Sequence, residues 1–308
     1  MWSVMKLPHQ MKAVVLIAGP TASGKSRLAT DLAVQCDGEV INADALQVYS
    51  DLRVISARPV DDEMREIPHH LFGHVDGAHR YSTGQWLREA STVILDVMAR
   101  GKLPIVVGGT GLYFKALTDG LAKIPPADTA SATEYLKANG IEKLRALAES
   151  LDPVAAPRVL GNDPQRLLRI VSVAQETGKP LSGWQSQTMP IIPKGYWTSC
   201  VLLPPREQLY ECINMRFDNM IEEGGLSEVK SLVSRGLSPD LPVMRAIGVK
   251  TIAQYLLGRH DLQTGIELAK RDTRRFAKRQ MTWFRGQAPN WPKLVNSAEK
   301  QEFIGNLY

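Results

Sequence analysis

The sequence predicts an α/β protein: a P-loop doubly wound parallel sheet core with an inserted, mainly helical lobe and a helical C-terminal region. Three observations carry that expectation. Gly19-Pro20-Thr21-Ala22-Ser23-Gly24-Lys25-Ser26 fills the pattern G-x-x-x-x-G-K-[ST] at every fixed position. The pattern lies between an apolar run suited to a buried parallel strand, Ala13–Ala18, and an amphipathic stretch, Ser26–Cys36, that reads as a helix. Further strand–turn–helix units follow it, and such a succession favours a parallel sheet wound on both faces.

In chain order, Glu39–Asp44 reads as a second strand that ends in polar residues, where open parallel sheets put their ligands. Tyr81–Arg100 has helical periodicity and stops before Gly101. Pro104–Gly108 is another buried strand, closed by Gly108-Gly109-Thr110-Gly111 and followed by a helix through Leu117. From about Lys123 the composition turns Pro-rich and helical, with helices near Glu142–Ser150 and from Pro164 to about Glu176. Trp197–Leu203 resembles a returning core strand. Helices near Arg206–Glu223, Leu226–Arg235 and Val249–Leu257 precede a last, basic one. The expected division is therefore residues 12–122 for the first part of the core, 123–196 for the insertion and 197–308 for core completion and the C-terminal helices.

Length and composition fit that division. A chain of 308 residues exceeds one typical domain, and 44% hydrophobic with 22% charged residues is ordinary for a soluble protein. Cys36, Cys200 and Cys212 are odd in number and far apart, so they suit a reducing cytosol and form neither a disulfide framework nor a zinc site. Met1–Gln10 lacks the apolar core of a signal peptide and reads as an extension ahead of the first strand. No later run reaches membrane-spanning length, so a cytoplasmic protein without a membrane partner is expected. Charge is unevenly spread. Between Glu267 and Arg285, seven basic residues (Lys270, Arg271, Arg274, Arg275, Lys278, Arg279, Arg285) stand against two acidic ones (Glu267, Asp272). That segment alone carries the excess of the whole chain, whose net charge is +5. A charged helix face is often merely solvated, but a run this lopsided in sign suits a polyanionic partner.

The chemistry starts from the glycine-rich loop. Glycines let backbone N–H groups turn inward around a polyphosphate, Lys25 adds a cation, Ser26 a hydroxyl for Mg²⁺, and the helix N-terminus a favourable dipole. A di- or triphosphate binds here, though the motif does not say which. A nucleotide motor would also offer an acidic residue at the end of a neighbouring strand and a group that orients a hydrolytic water. Only Asp44 is comparable, and Ile105–Val107 ends in glycines and Thr110. That combination fits a transferase with Asp44 as base and Gly109 and Thr110 lining the same cleft, a turn cap being the alternative for Asp44. His69 and His70 are adjacent, point in different directions and make a poor chelate, so any metal is expected on phosphate oxygens.

Seven blocks then carry a resemblance. Gly19–Ser26, Asn42–Tyr49, Pro68–Leu71, Val107–Lys115, Asn162–Arg169, Met244–Gly248 and Thr273–Arg285 resemble, in order, the signature blocks of tRNA dimethylallyltransferases (tRNA isopentenyltransferases) of bacterial type. The resemblance covers Lys12 to about Trp291. The chain departs from the pattern at Leu52–Pro59, where Arg53 and Ile55 replace an acid and a glycine and Arg58 keeps the cation of a lysine. The resemblance implies transfer of a dimethylallyl group from dimethylallyl diphosphate to N6 of the adenine 3′ of the anticodon. It implies Thr21, Lys25 and Ser26 on the diphosphate with Arg216 as a further cation, Mg²⁺ as cofactor, Asp44 as base, and Thr110 on the base or the diphosphate. Asp44, Ala45, Leu46, Gln47, Thr110, Pro164, Gln165, Arg166, Leu167, Leu168, Val243, Met244, Arg245, Ala246, Ile247 and Gly248 would line the tRNA path. Lys270, Arg274, Lys278 and Arg279 would meet phosphates of the anticodon stem-loop, and a monomer is expected. The alternatives are an adenylate isopentenyltransferase acting on free AMP, which has little use for the insertion or the basic helix, and a P-loop kinase or NTPase.

Overall fold

The computed structural model describes residues 14–186 and 188–307. Ala13, Lys12 and the extension before them lie outside the described residues. Strands Val14–Ala18 (β1), Gly38–Asn42 (β2), His69–His70 (β3), Leu103–Gly108 (β4), Trp197–Leu202 (β5) and Lys293–Leu294 (β6) form a sheet ordered β3-β2-β4-β1-β5-β6, six strands among the described residues. Every pairing is parallel, with Ile17 opposite Val107 on one side and Cys200 on the other. The sequence Val-Val-Leu-Ile-Ala of β1 is buried throughout. A parallel strand covered on both faces tolerates nothing else, which is why it reads as a continuous apolar run.

Winding reverses at β1: β2, β3 and β4 lie to one side of it, β5 and β6 to the other. The loops leaving the carboxyl ends of β1, β2 and β4 therefore meet at the switch point, the usual ligand position in such sheets. Helices Lys25–Gln35 (α1), Asp61–Met64 (α2), Thr83–Ala99 (α3) and Gly111–Thr118 (α4) connect these strands. α3 begins with a reciprocal cap in which Ser82 Oγ accepts from Gln85 N (3.2 Å) and Gln85 Oε1 accepts from Ser82 N (2.9 Å). Its buried stripe of Trp86, Ala90, Ile94 and Val97 recurs at helical spacing.

The chain divides into two compact units, one running to Lys115 and resuming at Ile192, the other Ala116–Ile191; the composition shift alone places the insertion at 123–196. The second unit holds helices Ala130–Leu151 (α5), Pro164–Thr177 (α6) and Leu181–Gln185 (α7) around Leu144, Leu167, Ile170, Val171 and Val173. α5 starts well ahead of the stretch near Glu142 because Gly140, at φ 82°, breaks the helix and splits its periodicity. Asp152 is fully buried in this unit, accepting from Ser182 N and Oγ and from Ala155 N, all at 2.8 Å, and from Val154 N at 3.2 Å. Burial pushes its carboxyl up, and those donors outweigh the burial and hold it below the ordinary value.

The first unit closes with Arg206–Met220 (α8), a wide turn Ile221–Gly225, Leu226–Ser234 (α9), Val249–Leu256 (α10), Leu262–Gln287 (α11) and Ser297–Gly305 (α12). α8 ends at Met220, ahead of the predicted Glu223, because the wide turn takes over there, with Gly224 at φ 101°. A helical core of Tyr49, Leu52, Phe217, Leu232, Val249 and Ile252 supports these helices. Among the described residues no helix is long and apolar enough to cross a membrane.

Candidate active site

At the end of β1 the chain turns back through Ala22 (φ 63°) and Gly24 (φ 82°), and Ser23 N closes the turn on Pro20 O at 3.3 Å. Gly24 stands at the N-cap of α1, where no side chain occupies the first-turn N–H groups, so they are open to an anion. Lys25 Nζ donates to Pro20 O at 3.2 Å, folding the ammonium over the loop. Ser26 is exposed and Thr21 half-buried. From α8, Arg216 Nη2 donates to Thr21 Oγ1. Only the family resemblance points to this arginine in the sequence, and the fold brings it to the loop across 195 residues. Burial brings the Lys25 ammonium down from 10.5 to about 8; Asp44 opposes that and Arg216 adds to it. Burial likewise lowers Arg216, again opposed by Asp44. Two desolvated cations and one carboxylate thus share a field at the carboxyl end of the sheet.

The turn after β2 is built to hold Asp44 still. Asn42 is fully buried; its Nδ2 donates to Asp44 O and Leu71 O, both at 3.0 Å, and its Oδ1 accepts from Asp44 N at 2.8 Å. Asp44 Oδ1 accepts from Leu46 N at 2.9 Å, and Oδ2 has no hydrogen-bond partner among the described residues. The β4 turn locks onto the same segment: Thr110 N donates to Ala43 O (3.1 Å) and Thr110 Oγ1 accepts from Ala45 N (3.0 Å). The Thr110 hydroxyl proton is left to donate elsewhere. Tyr113 stacks on Trp86 with centroids 4.1 Å apart, and Trp86 Nε1 donates to Asn42 O at 2.8 Å. Burial pushes the Tyr113 phenol up, with the Asp44 carboxylate adding to it, so this wall of the site stays neutral.

Gln47 follows on the same loop. Its Nε2 donates to Ser56 O (3.0 Å) and Ala57 O (2.7 Å), which commits both amide hydrogens and leaves Oε1 able to accept. The loop supplying those carbonyls is the one that departs from the family pattern. It is held by Glu228 of α9, whose Oε1 accepts from Arg53 N (2.6 Å) and Val54 N (2.9 Å) and whose Oε2 accepts from Ile55 N (2.8 Å).

The other expected tRNA-facing residues divide by exposure. Pro164, Gln165 and Arg166 are exposed at the start of α6, Leu168 is half-buried, and Leu167 is fully buried in the core of its unit. In the stretch 243–248, Val243, Ala246 and Gly248 are buried, Met244 and Ile247 half-buried, and only Arg245 offers a charge. On α11, Lys278 and Arg279 are exposed, the latter over the Phe276 ring at 5.7 Å, and Arg274 donates to Asn214 Oδ1 at 2.5 Å. Lys270 corrects the reading of that helix. It is only 8% exposed and held by Asp218 (2.7 Å) and Glu267 (3.1 Å), so it braces α11 against α8 and does not face an RNA. Sequence reasoning passes over Asn42, Glu228 and Gln280 as partners of other residues. Their only sequence signal is membership of, or pairing with, a signature block.

Fold and loop together define a P-loop α/β protein whose glycine-rich loop shares its electrostatic field with a fixed carboxylate. The family model for IPP transferase matches residues 47–287, and that for isopentenyl transferase residues 12–71. The chain is 48% identical over 289 residues to a tRNA dimethylallyltransferase from Caulobacter sp. (strain K31), covering 92% of this chain and 93% of that one. It is 49% identical to the tRNA dimethylallyltransferase of Maricaulis maris (strain MCS10), covering 92% and 93%. Among solved structures, the full-length tRNA isopentenylpyrophosphate transferase of Bacillus halodurans superimposes with a TM-score of 0.69 at 33% identity, over 96% of this chain and 97% of that one. A eukaryotic dimethylallyltransferase acting on tRNA gives 0.74 at 32%, over 88% and 69%. The chain belongs to the IPP transferase family.

Proposed function

We propose that this chain transfers the dimethylallyl group of dimethylallyl diphosphate to N6 of the adenine immediately 3′ of the anticodon in tRNA, releasing diphosphate. The observation that carries the reading is the shared field of Asp44, Lys25 and Arg216: a base and an anion cradle in one place, with no hydrolytic apparatus needed. In the reaction the N6–C1 bond forms as the C1–O bond breaks, and the bonding electrons leave with the diphosphate. Lys25, Arg216 and the α1 N–H groups stabilise that growing charge, which acts on the barrier because it is larger in the transition state than in the bound donor. The exocyclic amine is a weak nucleophile, and Asp44 Oδ2 takes its proton as the new bond forms. Gln47 Oε1 can only accept, which suits an amine-bearing base.

Mg²⁺ fits this donor set. Among the described residues there is no cluster of three acidic, His or Cys ligands, but Mg²⁺ needs only one or two protein oxygens when phosphates supply the rest. Ser26 Oγ, exposed beside the cradle, would hold it, and the ion would add charge stabilisation to the departing diphosphate. Reaching N6 in a structured loop requires the adenine to leave its stack. The exposed α6 start (Pro164, Gln165, Arg166), Arg245 and the Lys278–Arg279 face of α11 are our candidates for binding the anticodon arm, and the cytoplasm for its location.

Incubation with labelled dimethylallyl diphosphate and, in turn, unmodified tRNA, AMP or ATP tests the reading. Label entering tRNA alone is expected. Label entering AMP as efficiently would transfer the assignment to an adenylate isopentenyltransferase, and turnover of ATP without prenyl transfer to a kinase or NTPase.

A further inference from the structure

Among the described residues, Gln280 is the side chain that bonds to both glycine-rich turns. It lies on α11, only 5% exposed, with Nε2 donating to Gly109 O and Oε1 accepting from Thr21 N, both at 2.9 Å. The contact is built from both sides: a Cβ on Gly109 would stand 2.3 Å from Gln280 Nε2, so any larger residue there would expel the amide. One turn on, the Trp283 ring lies against Gly111, where a Cβ would come within 2.2 Å. α11 is thereby pressed flat on the β4 turn. That turn in turn fixes the Asp44 segment through Thr110, and Thr21 is the P-loop residue that receives Arg216.

We infer that Gln280 is a positioning residue that sets the separation between the diphosphate cradle and the base-bearing turn, so that donor carbon and acceptor amine meet in line. The amide suits this because it donates at one end and accepts at the other. The two backbone atoms it ties, one N–H and one C=O, come from different loops that share no direct hydrogen bond among the described residues. Misplacing reacting groups by about 1 Å costs on the order of 10²-fold in rate. Removing this tie therefore costs chemistry more than binding. Lys278 and Arg279 occupy the same turn of α11 on its exposed side, so docking of a polyanion there would bear on the same strut.

The inference rests on the proposed transfer reaction, and the test separates the two. Gln280→Met removes both bonds at nearly constant length. Gln280→Asn keeps a neutral amide but is one methylene too short to reach both partners, and serves as the folded control if the first variant is unstable. The full-length variants are compared with the wild type for diphosphate affinity by calorimetry, single-turnover transfer at saturating donor and acceptor, acceptor affinity, and melting temperature. Expected for Gln280→Met are a single-turnover rate lowered about 10²-fold, diphosphate affinity weakened several-fold, and acceptor affinity unchanged; Gln280→Asn, able to keep one of the two bonds, should fall between. A lower melting temperature with unchanged rate and unchanged diphosphate affinity in the folded fraction would overturn the role. Gln280-dependent diphosphate binding in an enzyme that prenylates AMP and not tRNA would support it while overturning the acceptor assignment.

Discussion

Two sets of cations sit on this molecule and obey different physics. Lys25 and Arg216 are desolvated and tied to Pro20 O and Thr21 Oγ1, and desolvation lowers the pKa of both while the Asp44 carboxylate opposes it. Lys278 and Arg279 stand in solvent on α11, with no ion pair among the described residues. In the cradle, low local dielectric makes each charge worth a great deal and leaves little room for substitution. On the helix each charge is screened and worth little alone, and affinity grows by summing many weak attractions that salt erodes one at a time. The first arrangement suits a small ligand whose charge changes during reaction; the second suits a long polyanion whose charge does not.

The sharpest way to break this contrast is at the carboxylate inside the cradle's field. Asp44→Ala should lower single-turnover transfer by ~10²–10⁴-fold, the usual range for loss of a general base, with donor affinity kept or slightly improved because a negative charge is gone. Near-normal chemistry in that variant would mean Asp44 is only the cap of its own turn, the role its bond to Leu46 N already shows it can play.

Lys25→Ala comes next. If, as proposed, Lys25 meets charge that grows as the diphosphate leaves, the variant should bind donor more weakly and also react more slowly, by ~10²–10³-fold in kcat. An unchanged kcat with only KM raised would reduce Lys25 to uniform binding. That outcome would make the cradle resemble the outer helix after all.

How much of this is legible in sequence depends on distance along the chain. The loop, its flanking strand and helix, and the polar end of β2 are contiguous, and local pattern suffices for them. The ties that fix their geometry are not local: Gln280 reaches Thr21 across 259 residues, and Glu228 reaches Arg53 across 175. No periodicity reports such pairs. The signature blocks also mix two kinds of residue. Leu167, Val243 and Ala246 sit in stretches read as RNA-facing yet are buried in cores, so a family resemblance cannot tell a touching side chain from one that holds the backbone for its neighbour. Two-residue strands such as β3 and β6 are too short to carry a period at all.

A milder probe uses pH, because desolvation brings Lys25 down from 10.5 to about 8. The Asp44 carboxylate limits that drop. Below about 8 Lys25 is charged and ready for the anion. As pH rises through 8, binding must take up a proton, so donor affinity should fall, approaching about tenfold per pH step of one until the higher value of the occupied site is reached. Stability measured without added donor moves the opposite way. A lysine whose value is depressed from 10.5 burdens the fold fully below 8, and that burden lifts between about 8 and 10.5. Measuring donor affinity and melting temperature from about pH 7 to about pH 10 checks both signs. Lys25→Met should flatten both profiles, and a flat wild-type profile would show that Lys25 is charged throughout.

The smallest effects belong to α11, where the contrast has an internal control. Neutralising Lys278 and Arg279 should weaken tRNA binding only a few-fold at physiological salt. Each phosphate deprived of its cation should reduce the log–log salt slope by roughly 0.7–0.9. Donor affinity and melting temperature should stay put, because neither side chain has a protein ion partner to lose among the described residues. Lys270 lies on the same helix but faces inward, between Asp218 and Glu267. Both of those carboxylates are about half exposed, which discounts the pair relative to a fully buried one. Lys270→Met should therefore lower the melting temperature modestly and leave the salt slope unchanged. If Lys270→Met flattened the slope as much as the outer pair did, sidedness would be irrelevant and α11 would be acting through its total charge. If the outer variants lost stability instead of slope, the helix would be a brace along its whole length, and the acceptor would have to be held elsewhere.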